Sequence, residues 1–387
     1  MILIMRTFWV FLQIIIGYNL ILPLLLFVLY KIFGRDKLRT PLNNDFDYAI
    51  IVTAYEQTAL LPSVITSLLN LNYTKYLIYV IADNCDISNL RFDDPKVILL
   101  KPETVLASNT RSHLYAIANF RRDHEILTII DSDNLVDPEY IRELNTFFND
   151  GFDAVQGVRA AKNLNTVYAC LDAARDIYYH FYDGEILFAL GSSATLAGSG
   201  MAFKTNLYKA CFENMDITGA GFDKVLQAQI LKRNKRIAFA KNAIVYDEKT
   251  SHSDQLVNQR SRWINTWFKY VGYGFDIIWR GIKRGSANQF LFGLILLRPP
   301  LFIFILLAFA CCLINVFIYP LYSLFWLLAF GIFALSFFIS LSQHATDKRI
   351  YKSLINIPKF IYFQIVSLLH ARQANKRSVA TKHNVNS

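Results

Sequence analysis

At 387 residues, with 54% hydrophobic residues and a formal charge of +10, the chain has room for a catalytic domain and more apolar material than a soluble globular protein needs. Its basic residues flank apolar segments (Arg35, Lys37 and Arg39; Lys283 and Arg284; Lys348, Arg349 and Lys352; Lys376 and Arg377). That is the pattern of charges held at a lipid boundary, and it calls for no nucleic acid. Cys85, Cys170, Cys211, Cys311 and Cys312 have neither zinc nor redox spacing, so they read as reduced structural thiols.

Taken in chain order, residues 1–34 read as a transmembrane anchor. Thr7 to Tyr30 carries no charge and exceeds the roughly 20 apolar residues a bilayer requires. It is too long for a signal-peptide core, and the basic residues that follow it place the next domain in the cytoplasm. Residues 35–255 alternate strand-like and helix-like stretches. Tyr48–Thr53, Leu77–Ala82, Val97–Leu100 and Ile126–Ile130 are apolar runs of strand length; Leu60–Leu71, Ser108–Arg122 and Pro138–Phe148 are helix-like. This alternation predicts an α/β domain with a mostly parallel sheet, whose ligands lie beyond the carboxyl ends of the strands. Residues 256–298 read as interfacial helices. Pro299 to Thr346 has no Lys, Arg, Asp or Glu, enough for two spans with a turn near Pro320. Residues 347–387 read as an interfacial helix (Pro358–Leu369) and a cytosolic tail.

Several motifs fall at strand ends or on loops. Asp131-Ser132-Asp133 closes a strand, and two carboxylates one residue apart in an extended turn can share one Mg²⁺ or Mn²⁺ that also meets phosphate oxygens. Asp83 closes another strand, where it can accept from a base or ribose, or form an Asx turn. Gly198-Ser199-Gly200 permits close backbone approach to a ligand, or is only a turn. Asp223 follows a glycine loop and reads as a general base or as a helix cap. Gln259-Arg260-Ser261-Arg262-Trp263 offers phosphate pairing and sugar stacking, or forms an interfacial belt.

Joined in order, these segments resemble the membrane-bound branch of glycosyltransferase family 2, the cellulose, chitin and hyaluronan synthases among them. The resemblance spans about residues 45–270, through Val52-Thr-Ala-Tyr-Glu56, Ala82-Asp-Asn-Cys-Asp86, Asp131-Ser-Asp133, Val155-Gln-Gly157, Gly198-Ser-Gly200, Phe222-Asp223 and Gln259-Arg-Ser-Arg-Trp263. It implies a nucleotide-sugar-binding domain of the glycosyltransferase A type. It assigns Thr53, Tyr55, Glu56 and Asp83 to the base and ribose, Asp131 to the diphosphate side, and Asp133 to the metal. It makes Asp223 the general base and gives Gln259, Arg262 and Trp263 to the diphosphate and acceptor. Phe222 stands where relatives carry Glu, and Arg111-Ser-His-Leu-Tyr115 where many carry Lys-Gly-x-Ala-Leu. Arg111 is thereby a substitute phosphate-side cation, although arginine and lysine are not equivalent there.

The implied function is metal-dependent, inverting transfer of a hexosyl or N-acetylhexosaminyl group from a nucleotide-diphosphate sugar, UDP-linked, to a lipid or growing glycan. It would take place on the cytoplasmic face of a plasma or inner membrane, in surface polysaccharide or glycolipid synthesis. A processive polysaccharide synthase is the nearest alternative, and a non-catalytic membrane scaffold the alternative of another class.

Overall fold

The computed structural model describes residues 2–34, 44–213 and 215–374. The basic residues Arg35, Lys37, Arg39, Lys376 and Arg377, and the tail beyond residue 374, lie outside the described residues. Helix α1 (Ile2–Phe33) leads into β1 (Tyr48–Tyr55), α2 (Leu61–Leu69), β2 (Tyr76–Asp83), β3 (Val97–Leu100), α3 (Asn109–Ala118), β4 (Ile126–Asp131), β5 (Leu135–Val136), α4 (Tyr140–Asn149) and β6 (Ala154–Ala161). There follow α5 (Val167–Tyr179), a π-helical turn (His180–Ile186), α6 (Leu187–Ala189), β7 (Met201–Lys204), α7 (Thr205–Phe212), α8 (Phe222–Lys232) and β8 (Ile237–Asp247). The remaining described elements are helices: α9 (Ser253–Tyr270), α10 (Gly272–Arg284), α11 (Ala287–Leu297), α12 (Leu301–Ile318), α13 (Pro320–Ser342), α14 (Lys348–Ser353) and α15 (Ile357–His370).

Among the described residues, eight strands form one sheet in the order β3-β2-β1-β4-β7-β6-β8-β5. Pairing is parallel from β3 through β4 and between β6 and β8; β7 runs antiparallel to β4 and β6, and β5 to β8. The apolar strand runs are buried on both faces, as a covered sheet requires. Ile50, Val52, Ile78 and Val80 enter one core with Leu61, Val64 and Leu144. Their neighbours Ala49, Ile51, Tyr79 and Ile81 enter the other with Ala116, Tyr208 and Leu226. This two-residue alternation fixes the register, since a slip by one would exchange the two cores.

Among the described residues, three helices are long and apolar enough to cross a membrane: Ile4–Phe33, Leu301–Ile318 and Pro320–Ser342. Their inward faces share a core of Ile16, Leu20, Phe304, Ala308 and Trp326. A polar cluster joins all three: Trp9 Nε1 donates to Asn315 Oδ1 at 3.0 Å, while Asn315 Nδ2 and Trp326 Nε1 donate to Gln13 Oε1 at 2.5 and 2.8 Å. Such bonds hold helices together where the hydrophobic effect cannot. The turn falls at Tyr319, one residue before Pro320. The Arg6 guanidinium lies 5.5 Å from the Tyr319 ring centroid, which puts the start of α1 at the same end. The sheet domain docks on these helices through its π-helical turn: Phe181, Tyr182 and Ile186 pack with Leu26, and Tyr182 donates to the Ser336 carbonyl at 2.9 Å. All five cysteines are buried and unbridged.

Candidate active site

The sheet's parallel half brings its carboxyl ends together. Thr53 and Asp131 are register partners on β1 and β4, as are Tyr55 and Asp83 on β1 and β2. Glu56 and Asn84, just beyond these ends, both adopt positive φ, at 60° and 53°, unusual for residues with a Cβ. They are tied by a 3.3 Å bond from Asn84 Nδ2 to Glu56 Oε1 and one of 3.2 Å from the Glu56 amide to the Asp83 carbonyl. The buried Asp83 carboxylate accepts from the Leu106 and Ala107 amides at 2.9 and 2.8 Å, so it organises a loop and forms no Asx turn. Arg111, in the first turn of α3, pairs with Asp216 and is 43% exposed.

The Asp-x-Asp turn is braced from behind. The Asp131 amide donates to Ser199 Oγ at 3.1 Å. Ser199 is fully buried, so in Gly198-Ser199-Gly200 the hydroxyl holds the turn. Gln156 of Val155-Gln-Gly157 donates to the Ser199 carbonyl at 3.1 Å and accepts from the Ala197 amide at 2.9 Å. Gly200 takes φ +66°, with Val245 Cγ2 2.8 Å from where a Cβ would stand. Two sequence motifs thus brace a third. Burial and the neighbouring Asp133 push the Asp131 carboxyl up to about 7, the strain a hard cation between them would relieve. Among the described residues no group of three or more His, Cys, Asp or Glu forms a metal site. The pair suits an ion such as Mg²⁺, which takes one or two carboxylates and completes its shell from phosphates and water.

Asp223 lies in the first turn of α8, whose N-cap is Gly221 with φ 98° and no side-chain capping bond. It therefore does not cap the helix. Its carboxylate sits 3.1 Å from Lys224 Nζ. A Cβ on Gly221 would stand 2.4 Å from Thr266 Cγ2, so glycine is what lets α8 approach α9. Phe222, in place of the expected Glu, is core: its ring lies 5.2 Å from that of buried His113. Burial lowers the His113 imidazole to about 3, which keeps that contact neutral.

Residues absent from the sequence expectations connect these parts. Asn134 Nδ2 donates to Asp133 Oδ1 at 3.0 Å and to Asp247 Oδ1 at 3.1 Å. Asp247 pairs with Arg159 at 2.7 Å and Lys249 at 2.8 Å. Lys249 reaches Asp176 at 2.5 Å, which also meets Arg175 at 2.5 Å. Arg175 and Arg260 converge on Asp172, and both guanidiniums lie over the Trp263 ring, at 4.4 and 4.1 Å. Burial alone would raise Asp247, but Arg159 and Lys249 outweigh it and hold the carboxyl down to about 2. Burial likewise opposes Asp176, which Arg175 and Lys249 keep far below the ordinary carboxylate range. Asp172 is pushed up to about 6 by burial, with Arg175 pulling the other way. Single acidic or basic residues at the ends of β8 and α5 carry no sequence signal of this pairing; Asp172, Arg175 and Asp176 at helical spacing are the nearest hint.

Asp131, Asp133, Gly198, Asp223, Gln259, Arg262 and Trp263 line one cavity of about 880 Å³. Thr53, Tyr55, Glu56, Asp83, Ser199 and Gly200 are not among its lining residues. The cavity continues past Arg298 to Phe302, Ile305, Phe333 and Phe337 of α12 and α13. Gln259, Arg260, Arg262 and Trp263 thus belong to the cavity wall.

A family model described as "Glycosyltransferase like family 2" matches residues 45–266. No curated protein matches by sequence. Among solved structures, the mannosyltransferase PcManGT from Pyrobaculum calidifontis, in complex with GDP-Man and Mn²⁺, superposes with a TM-score of 0.54 at 12% identity, covering 94% of this chain and 98% of that one. S. aureus TarS 1-349 in complex with UDP-GlcNAc gives 0.42 at 13% identity, covering 85% and 90%. At such identity the likeness to the mannosyltransferase is one of fold. With more than half its length matched by the family model, the chain belongs to the glycosyltransferase-like family 2, and its α/β domain has that family's glycosyltransferase A type fold.

Proposed function

We propose that the protein is a membrane-embedded, inverting glycosyltransferase that moves a sugar from a nucleotide-diphosphate donor, UDP-linked, to a lipid or growing glycan at the cytoplasmic face. The observation that carries this reading is the single cavity that holds Asp131, Asp133 and Asp223 at one end and reaches helices long and apolar enough to span a bilayer at the other. An acceptor anchored in the membrane can reach Asp223 along it.

In this reading the base and ribose lie on the ends of β1 and β2, near Thr53, Tyr55, Glu56 and Asp83. Asp131 and Asp133 would hold Mg²⁺ or Mn²⁺, which supplies positive charge to the leaving diphosphate. Arg262 sits on the same cavity wall and pairs with diphosphate oxygens. Asp223 takes the proton from the acceptor hydroxyl as that oxygen bonds to the anomeric carbon. The bond from that carbon to the diphosphate breaks on the opposite side, so configuration inverts. The three candidate spans, few for a polymer channel within one chain, favour single addition or short extension.

The test is a screen of radiolabelled nucleotide sugars against membranes containing the protein, with Mg²⁺ or Mn²⁺, reading product size and lipid extractability together. Label in a lipid-extractable or membrane-bound saccharide is the expected result. Label appearing only in long free polymer would favour a processive synthase, and no transfer or hydrolysis from any donor would leave a scaffold.

A further inference from the structure

The cavity that holds Asp223 has a second, apolar end. Its wall there is made by Ala334, Phe337 and Phe338 of α13 and by Ile357, Phe360 and Ile361 of α15. Spacings of three and four residues put each set on one face of its helix. No packed interface joins α13 to α15 among the described residues, so the two faces stand apart with the cavity between them. The gap is closed at both ends. At one, Leu341 of α13 and Ile350 of α14 meet Cys170 and Ala174 of α5. At the other, Phe302 and Leu306 of α12 meet Leu368 of α15. Between these clusters the apolar lining passes round to the outer surface of both helices. Phe338 is 51% exposed and lies three residues from Leu335, which is exposed but lines no part of the cavity. Ile361 lies four residues from Ile365, which is likewise exposed outside it.

The height of the gap on α13 says what it faces. This helix is long and apolar enough to span a bilayer, and it ends at Ser342. At about 1.5 Å per residue, Phe338 and Ala334 stand about 6 and 12 Å before that end. A hydrocarbon core is about 30 Å thick, so the gap opens on the acyl chains of the leaflet nearer the sheet domain. Apart from Gln364, the lining that α13 and α15 give it is apolar. Water or a free saccharide would lose hydrogen bonds along this stretch, whereas a hydrocarbon chain loses none. Further in, Arg175 and Tyr179 of α5 line the same cavity and are only partly buried. They begin the polar stretch that leads on to Arg262 and Asp223. The cavity therefore changes from apolar to charged along its length, which matches an amphiphile with its tail in the gap and its head towards Asp223.

We propose that the gap between α13 and α15 is a side window for the hydrocarbon chain of a membrane lipid, so that the acceptor is a lipid drawn laterally from the bilayer and not a saccharide arriving from water. This rests on the transferase reading of the same cavity, and the test separates the two. Full-length protein in lipid nanodiscs is irradiated with a long-chain fatty alcohol that carries a diazirine beside its hydroxyl, and labelled residues are mapped by mass spectrometry. Label is expected on Arg175 and Tyr179 of α5, inside the cavity, as well as on Ile365, outside it. Ala334→Trp fills the gap and should cut the α5 label roughly tenfold. Leu328→Trp puts the same bulk on the outer face of α13, where Leu328 is exposed, and should leave the α5 label as in the wild type. Ile361→Trp repeats the obstruction from the α15 side, in case Ala334→Trp does not fold. An unlabelled α5 beside a labelled Ile365, or an α5 label that both obstructing variants leave unchanged, would overturn the proposal. So would sugar transfer to free water-soluble oligosaccharides at the rate seen for lipid-extractable acceptors. Because labelling needs no nucleotide sugar, label on α5 without transfer from any donor would count against the transferase reading alone.

Discussion

Lys249 and Asp176 meet at 2.5 Å with the lysine side chain 1% exposed, so the segment just after β8 and the last turn of α5 are joined by an ion pair whose lysine is closed to solvent. A buried pair of this kind adds little net stability, but breaking one side leaves a bare charge in a low dielectric. Lys249→Met is expected to cost about 3–5 kcal/mol, measured as denaturant unfolding of the protein in nanodiscs. Lys249→Met with Asp176→Asn should recover part of it. An unchanged midpoint in the single variant would show that the pair bears no structural load.

Asp223 lies in the cavity wall without capping α8, which separates chemistry from helix stability. Asp223→Asn should bind nucleotide sugar like the wild type and lose roughly 10²–10⁴ in transfer rate. Donor titration beside single-turnover transfer checks both halves; wild-type turnover would remove Asp223 as the base.

Burial and Asp133 raise the Asp131 carboxyl to about 7, above the roughly 3.9 of an unfolded chain. The folded protein then holds a proton that the unfolded chain releases. The stability linked to Asp131 is present below about pH 4 and falls as pH rises to about 7. Mn²⁺ should offset that loss by taking the proton's place. Thermal unfolding across about pH 5 to 8, with and without Mn²⁺, should show this slope in the wild type and a weaker one in Asp131→Asn. Asp133→Ala should abolish Mn²⁺-dependent donor binding in calorimetry.

Gly221→Ala places a Cβ 2.4 Å from Thr266 Cγ2 at a φ of +98°. Helix α8 must then move off α9 and take Asp223 with it. A loss of about 2 kcal/mol or more in stability is expected, with transfer falling further than nucleotide affinity. Equal losses in both would place the effect on the whole domain and not on the base.

Much of this protein was legible along the chain because its strongest signals are local. Apolar runs of strand length became β1, β2, β3 and β4 because a sheet covered on both faces needs them, and lipid-length runs became α1, α12 and α13. Asp131, Asp133, Asp223 and Gln259-to-Trp263 formed a recognisable order because each motif lies within a few residues of one strand end or helix. What the sequence could not carry is the choice among the readings each motif left open. Only the tertiary structure placed Ser199 behind Asp131, tied Arg111 to Asp216, used the Asp83 carboxylate on the Leu106–Ala107 loop and put Phe222 against His113. The chain Asn134–Asp247–Lys249–Asp176–Arg175 was likewise invisible. These charges become partners only when folding carries distant segments into one low-dielectric place, where leaving any of them unpaired would be prohibitive.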